Sequence, residues 1–143
     1  MRPLAAAALC LSCLALAAGA SATIKPARGM AGVMLGMSPA QVQAKLGRPV
    51  VKSGGRWYYP TVHVTFRGAR IVELTTTKKA ERLSNGIGIH STEGQVQTAF
   101  PQARCAVWTI FRRCRLGSGA RGSRVTDFIL ARGRVFQITI ARL

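Results

Sequence analysis

One passage of this chain occurs twice. Gly32-Val33-Met34-Leu35-Gly36-Met37-Ser38-Pro39-Ala40-Gln41-Val42-Gln43 returns, diverged, as Gly86-Ile87-Gly88-Ile89-His90-Ser91-Thr92-Glu93-Gly94-Gln95-Val96-Gln97, at an offset of 54 residues. Gly32/Gly86, Gln41/Gln95, Val42/Val96 and Gln43/Gln97 are identical, and Ser38/Thr92 is conservative. Further on, Phe66, Arg70, Ile71, Leu74 and Thr75 align with Phe128, Arg134, Val135, Ile138 and Thr139. A duplicated pattern restricts the fold to something built from two similar units.

Each copy carries helix-start grammar. Ser38-Pro39-Ala40-Gln41 reads as a capping box: the Ser38 oxygen takes an orphan backbone N–H and Gln41 reaches back. Pro39 fits the first helical position. Val42 and Leu46 share a face at i, i+4 spacing, and Gly47 and Pro49 stop the helix. In the second copy Thr92 and Gln95 cap, Glu93 suits the positive helix end, Val96, Ala99 and Phe100 form the apolar face, and Pro101 stops it.

Strands follow each helix. Val50–Lys52 and Arg56–Tyr59 flank the turn signal Ser53-Gly54-Gly55. Thr61 to Phe66 alternates, with Val62, Val64 and Phe66 on one side and Thr61, His63 and Thr65 on the other. Gly68 turns the chain into Arg70–Thr76. In the second copy Arg104–Thr109 and Phe111–Leu116 make a hairpin, and Val125–Leu130 pairs with Val135–Ile140 across Arg132-Gly133. The basic loop Leu116–Ser123 separates the two hairpins. The expected fold is therefore α+β: two tandem repeats, each a short helical segment packed on a 3–4-stranded antiparallel sheet. The expected boundaries are a flexible leader over 23–30, repeat one over 31–76, a linker over 77–84 and repeat two over 85–143.

The start of the chain reads as an address. Met1 to Ala22 has a basic Arg2, an uncharged apolar stretch and the small-x-small cleavage site Ala20-Ser21-Ala22. It is Ala-rich and lacks flanking basic residues to stop transfer, so the expectation is a removed signal peptide and an exported product, periplasmic or extracellular. No other segment could span a bilayer. What remains is about 120 residues, enough for one compact domain or two tightly packed halves.

That mature part carries a charge of about +16, because only Glu73, Glu81, Glu93 and Asp127 oppose its Lys and Arg residues. Over the whole chain Arg outnumbers Lys 16 to 5. Such a charge favours anionic partners but says nothing about fold. Cys105 and Cys114 are the cysteines left after processing, with eight residues between them. In an oxidising compartment they suggest one disulfide. Closing so short a loop constrains the unfolded chain by roughly 2–3 kcal/mol. If the two cysteines opposed each other directly, the turn would be Thr109-Ile110, which is poor for the primed hairpin turns. A wider loop or a diagonal bridge is the expected arrangement.

The motifs resemble a known unit. Leu35-Gly36-Met37-Ser38-Pro39-Ala40-Gln41-Val42, Leu46-Gly47-Arg48-Pro49, Trp57-Tyr58, Thr65-Phe66 and Arg70-Ile71 are similar to the SmpA/OmlA (outer-membrane assembly lipoprotein, BamE-like) domain. Two such units in a secreted chain, with a disulfide in the hairpin, look like the beta-lactamase inhibitory protein (BLIP-like) fold. The resemblance covers 32–76 well and the second copy more weakly. It implies structure rather than activity, because its motifs are capping and turn chemistry. The lipidated cysteine of the outer-membrane lipoproteins has no counterpart, and no inhibitory contact residue can be matched.

Catalytic signals are thin. His63 falls on the outward face of a strand and His90 at a turn. The four carboxylates lie in unrelated elements with no spacing that pairs them for acid–base work. Gly86-Ile87-Gly88 is the repeat's turn, not a phosphate loop. The two cysteines have no nearby histidine to complete a zinc site. The chain thus reads as non-catalytic, without cofactor or metal. Its better signals are aromatic and arginine residues on strands: Trp57 and Tyr59 on one face, Trp108 on the face away from Cys105, and Arg112, Arg113 and Arg115 crowding the second hairpin. That mixture is what protein interfaces favour. The leading expectation is a secreted or envelope protein-binding module, inhibitor-like or assembly-like, with an unknown protein partner. The alternative is an electrostatic binder of anionic envelope polymers or lipids. Nucleic acid fits the charge but not the export signal.

Overall fold

The computed structural model describes residues 23–143. The expected signal peptide, with Arg2 and Ala22, lies outside the described residues. The element order is β1 (Gly29–Met30), β2 (Val33–Met34), α1 (Pro39–Leu46), β3 (Val51–Ser53), β4 (Arg56–Tyr58), β5 (His63–Arg67), β6 (Arg70–Thr76), α2 (Glu93–Ala99), β7 (Arg104–Trp108), β8 (Phe111–Leu116), β9 (Arg124–Ala131) and β10 (Arg134–Arg142).

The α+β expectation of two tandem repeats, each with its own 3–4-stranded sheet, is overturned. The chain is mostly β, and eight strands form one antiparallel sheet in the order β3-β4-β5-β6-β10-β9-β8-β7, beside a two-stranded β1–β2 ribbon. The only helices among the described residues have 8 and 7 residues, too short to make a layer of their own. The physical reason lies at the middle of the sheet. Left separate, β6 and β10 would each be an edge with unpaired N–H and C=O groups. Instead they pair with each other, Leu74 opposite Ile140, Thr75 opposite Thr139 and Thr76 opposite Ile138. Leu74, Ile138 and Ile140 are then fully buried in a single core cluster that takes in Val42 of α1 and Val96 of α2.

The local grammar forms at both places. In α1 the Gln41 amide donates to Ser38 Oγ at 3.3 Å and the Ser38 amide to Gln41 Oε1 at 2.9 Å. In α2 the Gln95 amide donates to Thr92 Oγ1 at 3.2 Å and the Thr92 amide to Gln95 Oε1 at 2.8 Å. Each helix then buries one valine completely, Val42 or Val96, worth about 1.5–3 kcal/mol apiece. The approach to each helix is locked to the sheet in the same manner. Gly36 N donates to the Ile71 carbonyl and the Arg70 guanidinium to the Gly36 carbonyl. His90 N donates to the Val135 carbonyl and the Arg134 guanidinium to the His90 carbonyl. Gly36 sits at φ 89° and His90 at φ 75°, so the histidine occupies a conformation that glycine adopts without strain.

The segments expected as leader and linker both pack against the fold. Residues 23–30 are not a loose leader. Ile24 and Met30 are buried, and the amides of Thr23 and Ile24 both donate to the Arg82 carbonyl. In the 77–84 stretch Glu81 and Leu83 are buried and Leu83 N donates to the Ile87 carbonyl.

The β7–β8 hairpin differs from expectation as well. Cys105 stands directly opposite Cys114 and the two are disulfide-bonded. The turn is Thr109-Ile110 after all, with Thr109 at φ 56°. Continuous pairing from Arg104–Arg115 to Trp108–Phe111 leaves no room for a wider loop, so a β-branched residue takes the positive φ.

Candidate functional site

Strand alternation gives the large sheet two chemically different faces. One carries Val64, Leu74, Ile138, Phe128 and Cys114 into the core. The other, away from the helices, carries Arg56 from β4, His63 and Thr65 from β5, Glu73 and Thr75 from β6, Gln137 and Thr139 from β10, Asp127 and Ile129 from β9, and Arg113 and Arg115 from β8. Most of these residues, with Trp108 and the C-terminal Leu143, line an open cleft of about 350 Å³.

The polar groups of this face are arranged among themselves. Arg56 donates to Thr65 Oγ1 at 3.1 Å and to Glu73 Oε1 at 3.4 Å, and Thr65 Oγ1 also donates to Glu73 at 3.4 Å. Across the β6–β10 seam, the hydroxyls of Thr75 and Thr139 are 3.2 Å apart, and Gln137 donates to Thr139 at 3.2 Å. Arg115 grips Asp127 with two parallel bonds of 2.7 and 2.6 Å. That bidentate geometry is the strong form of an Arg–carboxylate contact, and hydrogen bonding to Asp127 raises the Arg115 pKa. Arg113 lies over the Trp108 ring at 5.3 Å, a cation–π placement. Tyr58 meets His63 edge-on at 4.7 Å. Partial burial, then the charges of Arg56 and Lys78, lower the His63 pKa from its ordinary value.

The face can therefore present fixed, paired charges and a cation-stacked indole to something that lies on it. Both of its carboxylates accept from a guanidinium. Among the described residues, the only Cys, His, Asp and Glu group at metal-ligand spacing is Glu93 with Cys105 and Cys114. Those sulfurs are bonded to each other, so they offer no thiolate.

The residues singled out from sequence are divided by the fold. Trp108, Arg113 and Arg115 share the open face. Trp57 lies on the opposite face, edge-on to Phe66 at 4.9 Å with the Lys52 ammonium 4.1 Å above its ring. Tyr59 is buried and its hydroxyl donates to the Gly47 carbonyl at 3.0 Å. Arg112 is bound from the helix side by Glu93, with bonds of 2.7 and 2.6 Å. The hydrogen bond to Arg112 lowers the Glu93 pKa. Sequence reasoning missed Arg56, Glu73, Thr75, Asp127 and Thr139 as site residues. The alternation that put Thr61, His63 and Thr65 opposite the valines was the available signal for part of this set. The β6–β10 register that joins the two halves had none.

No protein-family model matches the sequence, and no curated protein does. Among solved structures the chain is similar to YjgB, a DUF4309 family protein of Bacillus subtilis (TM-score 0.54, 11% identity, covering 74% of this chain and 78% of that one). It is also similar to an extracellular protein containing a SCP domain from Bacillus anthracis (TM-score 0.54, 10% identity, 76% of this chain and 44% of that one). The chain thus spans under half of the second protein. At such identities the likeness is one of fold. Neither protein carries the name of the SmpA/OmlA or inhibitory-protein groups, so that resemblance rests on the sequence motifs alone.

Proposed function

We propose that this chain is an exported, non-catalytic binding module whose protein partner, in the envelope or outside the cell, seats on the open face of the eight-stranded sheet. The observation that carries the reading is the cleft joining Trp108, Arg113, Arg115–Asp127 and Arg56–Glu73 across seven strands. Aromatic and arginine side chains held in place before contact lose little freedom on binding, which is the character of interface anchors. The Cys105–Cys114 bond and the leader-like Met1–Ala22 support an oxidising destination. Kinship with the SmpA/OmlA group belongs to the same proposal, on the strength of Leu35–Val42 and the motifs that follow. Inhibition of an exported enzyme and help in envelope assembly are both uses of such a face.

A second reading has one observation in its favour. Arginines also stand on the helix side, at Arg112 and Arg134, and at the far end of the sheet, at Arg67, Arg124 and Arg142. Charge spread in this way suits an anionic polymer or lipid. Affinity capture from envelope and culture extracts, washed at low and high salt, separates the two. A discrete protein retained at high salt supports the open-face reading. Anionic material lost at high salt would replace it with the electrostatic one.

A further inference from the structure

The β7–β8 hairpin ends in an apolar cluster of which the open-face reading uses only Trp108. Six large apolar residues are exposed among the described residues, and three of them fall within four consecutive positions: Val107 at 73%, Trp108 at 41% and Ile110 at 88%. Scattered apolar residues need no explanation, but a cluster at a hairpin tip does. The tip cannot fold back to hide them. Its strands are cross-linked by Cys105–Cys114, β8 is zipped to β9, and Phe111 packs against Phe136 at 5.0 Å.

The three side chains do not share a face. Val107 and Trp108 point to opposite sides of the strand, and Ile110 sits in the turn between them and β8. A folded partner would meet one side of such a hairpin. A fluid apolar medium would meet all of it. Glu93 reaches the hairpin from α2 and pairs with Arg112, the cross-strand partner of Val107, and the other charges near the apex are basic. No acidic residue occurs from Gly94 to Thr126 or after Asp127. Arg113 stacks on Trp108, and Arg132, in the neighbouring β9–β10 turn, borders the same shallow groove as Val107 and Ile110. Neither arginine has a carboxylate partner among the described residues.

From this we infer that the β7–β8 tip is a membrane-interface prong: Val107, Trp108 and Ile110 enter the headgroup–acyl boundary of an anionic phospholipid bilayer, and Arg113 and Arg132 bind lipid phosphates. Apolar residues immersed beside basic ones, with an indole at headgroup depth, are the pattern of interfacial insertion. The anionic leaflet supplies the counter-charge that Arg113 and Arg132 lack. The inference shares Trp108 and Arg113 with the open-face cleft and differs from that proposal in its use of the apex residues Val107, Ile110 and Arg132.

The test uses the purified protein with Trp57→Phe, so that Trp108 is the reporting indole. Vesicles of phosphatidylcholine alone are compared with vesicles containing equal parts of phosphatidylglycerol, each with and without acyl chains brominated near the headgroup. The expected result is a blue shift and bromine quenching of Trp108 on the anionic vesicles only. Val107→Ser with Ile110→Asp should then weaken partition by about tenfold or more at unchanged melting temperature. Arg132→Gln should weaken it less and flatten its salt dependence. Binding without quenching would overturn the proposal, since that is adsorption by net charge. So would no binding, or an unchanged partition in the Val107→Ser/Ile110→Asp variant. A soluble protein that protects Trp108 while vesicles do not would assign the tip to a protein contact instead.

Discussion

Reducing the Cys105–Cys114 bond should cost this protein a defined share of its stability. The two cysteines are 9 positions apart and face each other across the β7–β8 ladder. For a loop of that span, the entropy returned to the unfolded chain corresponds to about 2.7 kcal/mol. Unfolding entropies near 2.1 cal/mol/K per residue make roughly 250 cal/mol/K for residues 23–143, so the melting temperature should fall by about 10 °C. The hairpin carries an opposing cost. Thr109 sits at φ 56°, and left-handed backbone at a residue with a Cβ is unfavourable by about 1–2 kcal/mol. Thr109→Gly removes that cost while adding unfolded-state entropy of about 0.5–1 kcal/mol. The net gain should raise the melting temperature of the oxidised protein by about 2–4 °C. Calorimetric melts with and without reductant, on the wild type and Thr109→Gly, measure both effects. A shift on reduction below about 3 °C would refute the loop-entropy reasoning. A lower melting temperature in Thr109→Gly would refute the assignment of strain to the turn.

The remaining predictions concern the core and the open face. Val42→Asp or Val96→Asp should abolish the folded state, because each puts a charge where the side chain is fully buried between helix and sheet. A circular dichroism melt that still shows a cooperative transition would contradict the packing described. Arg115→Ala leaves Asp127, only 8% exposed, without its bidentate partner; denaturant titration should show a loss of about 1–3 kcal/mol. The pH dependence carries a sign. With its folded pKa below the ordinary value of 6.5, the unfolded state binds the His63 proton more readily. That contribution to stability is complete above the unfolded pKa and is lost as pH falls from there through the lower folded pKa. His63→Gln should flatten the melting temperature against pH in that window, and an unchanged slope would exclude His63 as the cause.

The reading of this chain from sequence succeeds where the determinants are local. Ser38-Pro39-Ala40-Gln41 and Thr92-Glu93-Gly94-Gln95 specify their caps within four residues, and both helices start where those boxes place them. The strands, too, are recognisable from alternation and turn residues. The assembly is not local. Whether β6 and β10 stay edges or pair depends on Leu74, Thr75 and Thr76 meeting Ile138, Thr139 and Ile140, residues more than sixty positions apart, and no short pattern encodes that meeting. The error at Thr109-Ile110 has a different origin. Turn preference is worth about a kilocalorie, and the ladder and disulfide override it. Trp57 and Tyr59 were sound as strand-face neighbours but point into or beside the core. The charged half of the site was obscured because Glu73 and Asp127 come from different halves of the chain and reach one face only through the β6–β10 seam.

The central claim is that the open face of the sheet is the binding surface, and parallel capture with two variants tests it most directly. Arg113→Glu with Arg56→Ala alters the cleft, and Trp57→Ala alters the opposite face. If the account holds, a discrete protein retained at high salt by the wild type is lost by the first variant and kept by the second, with both variants melting cooperatively. Retention by the cleft variant, or loss only with Trp57→Ala, would place the partner on the other side of the sheet and contradict the account.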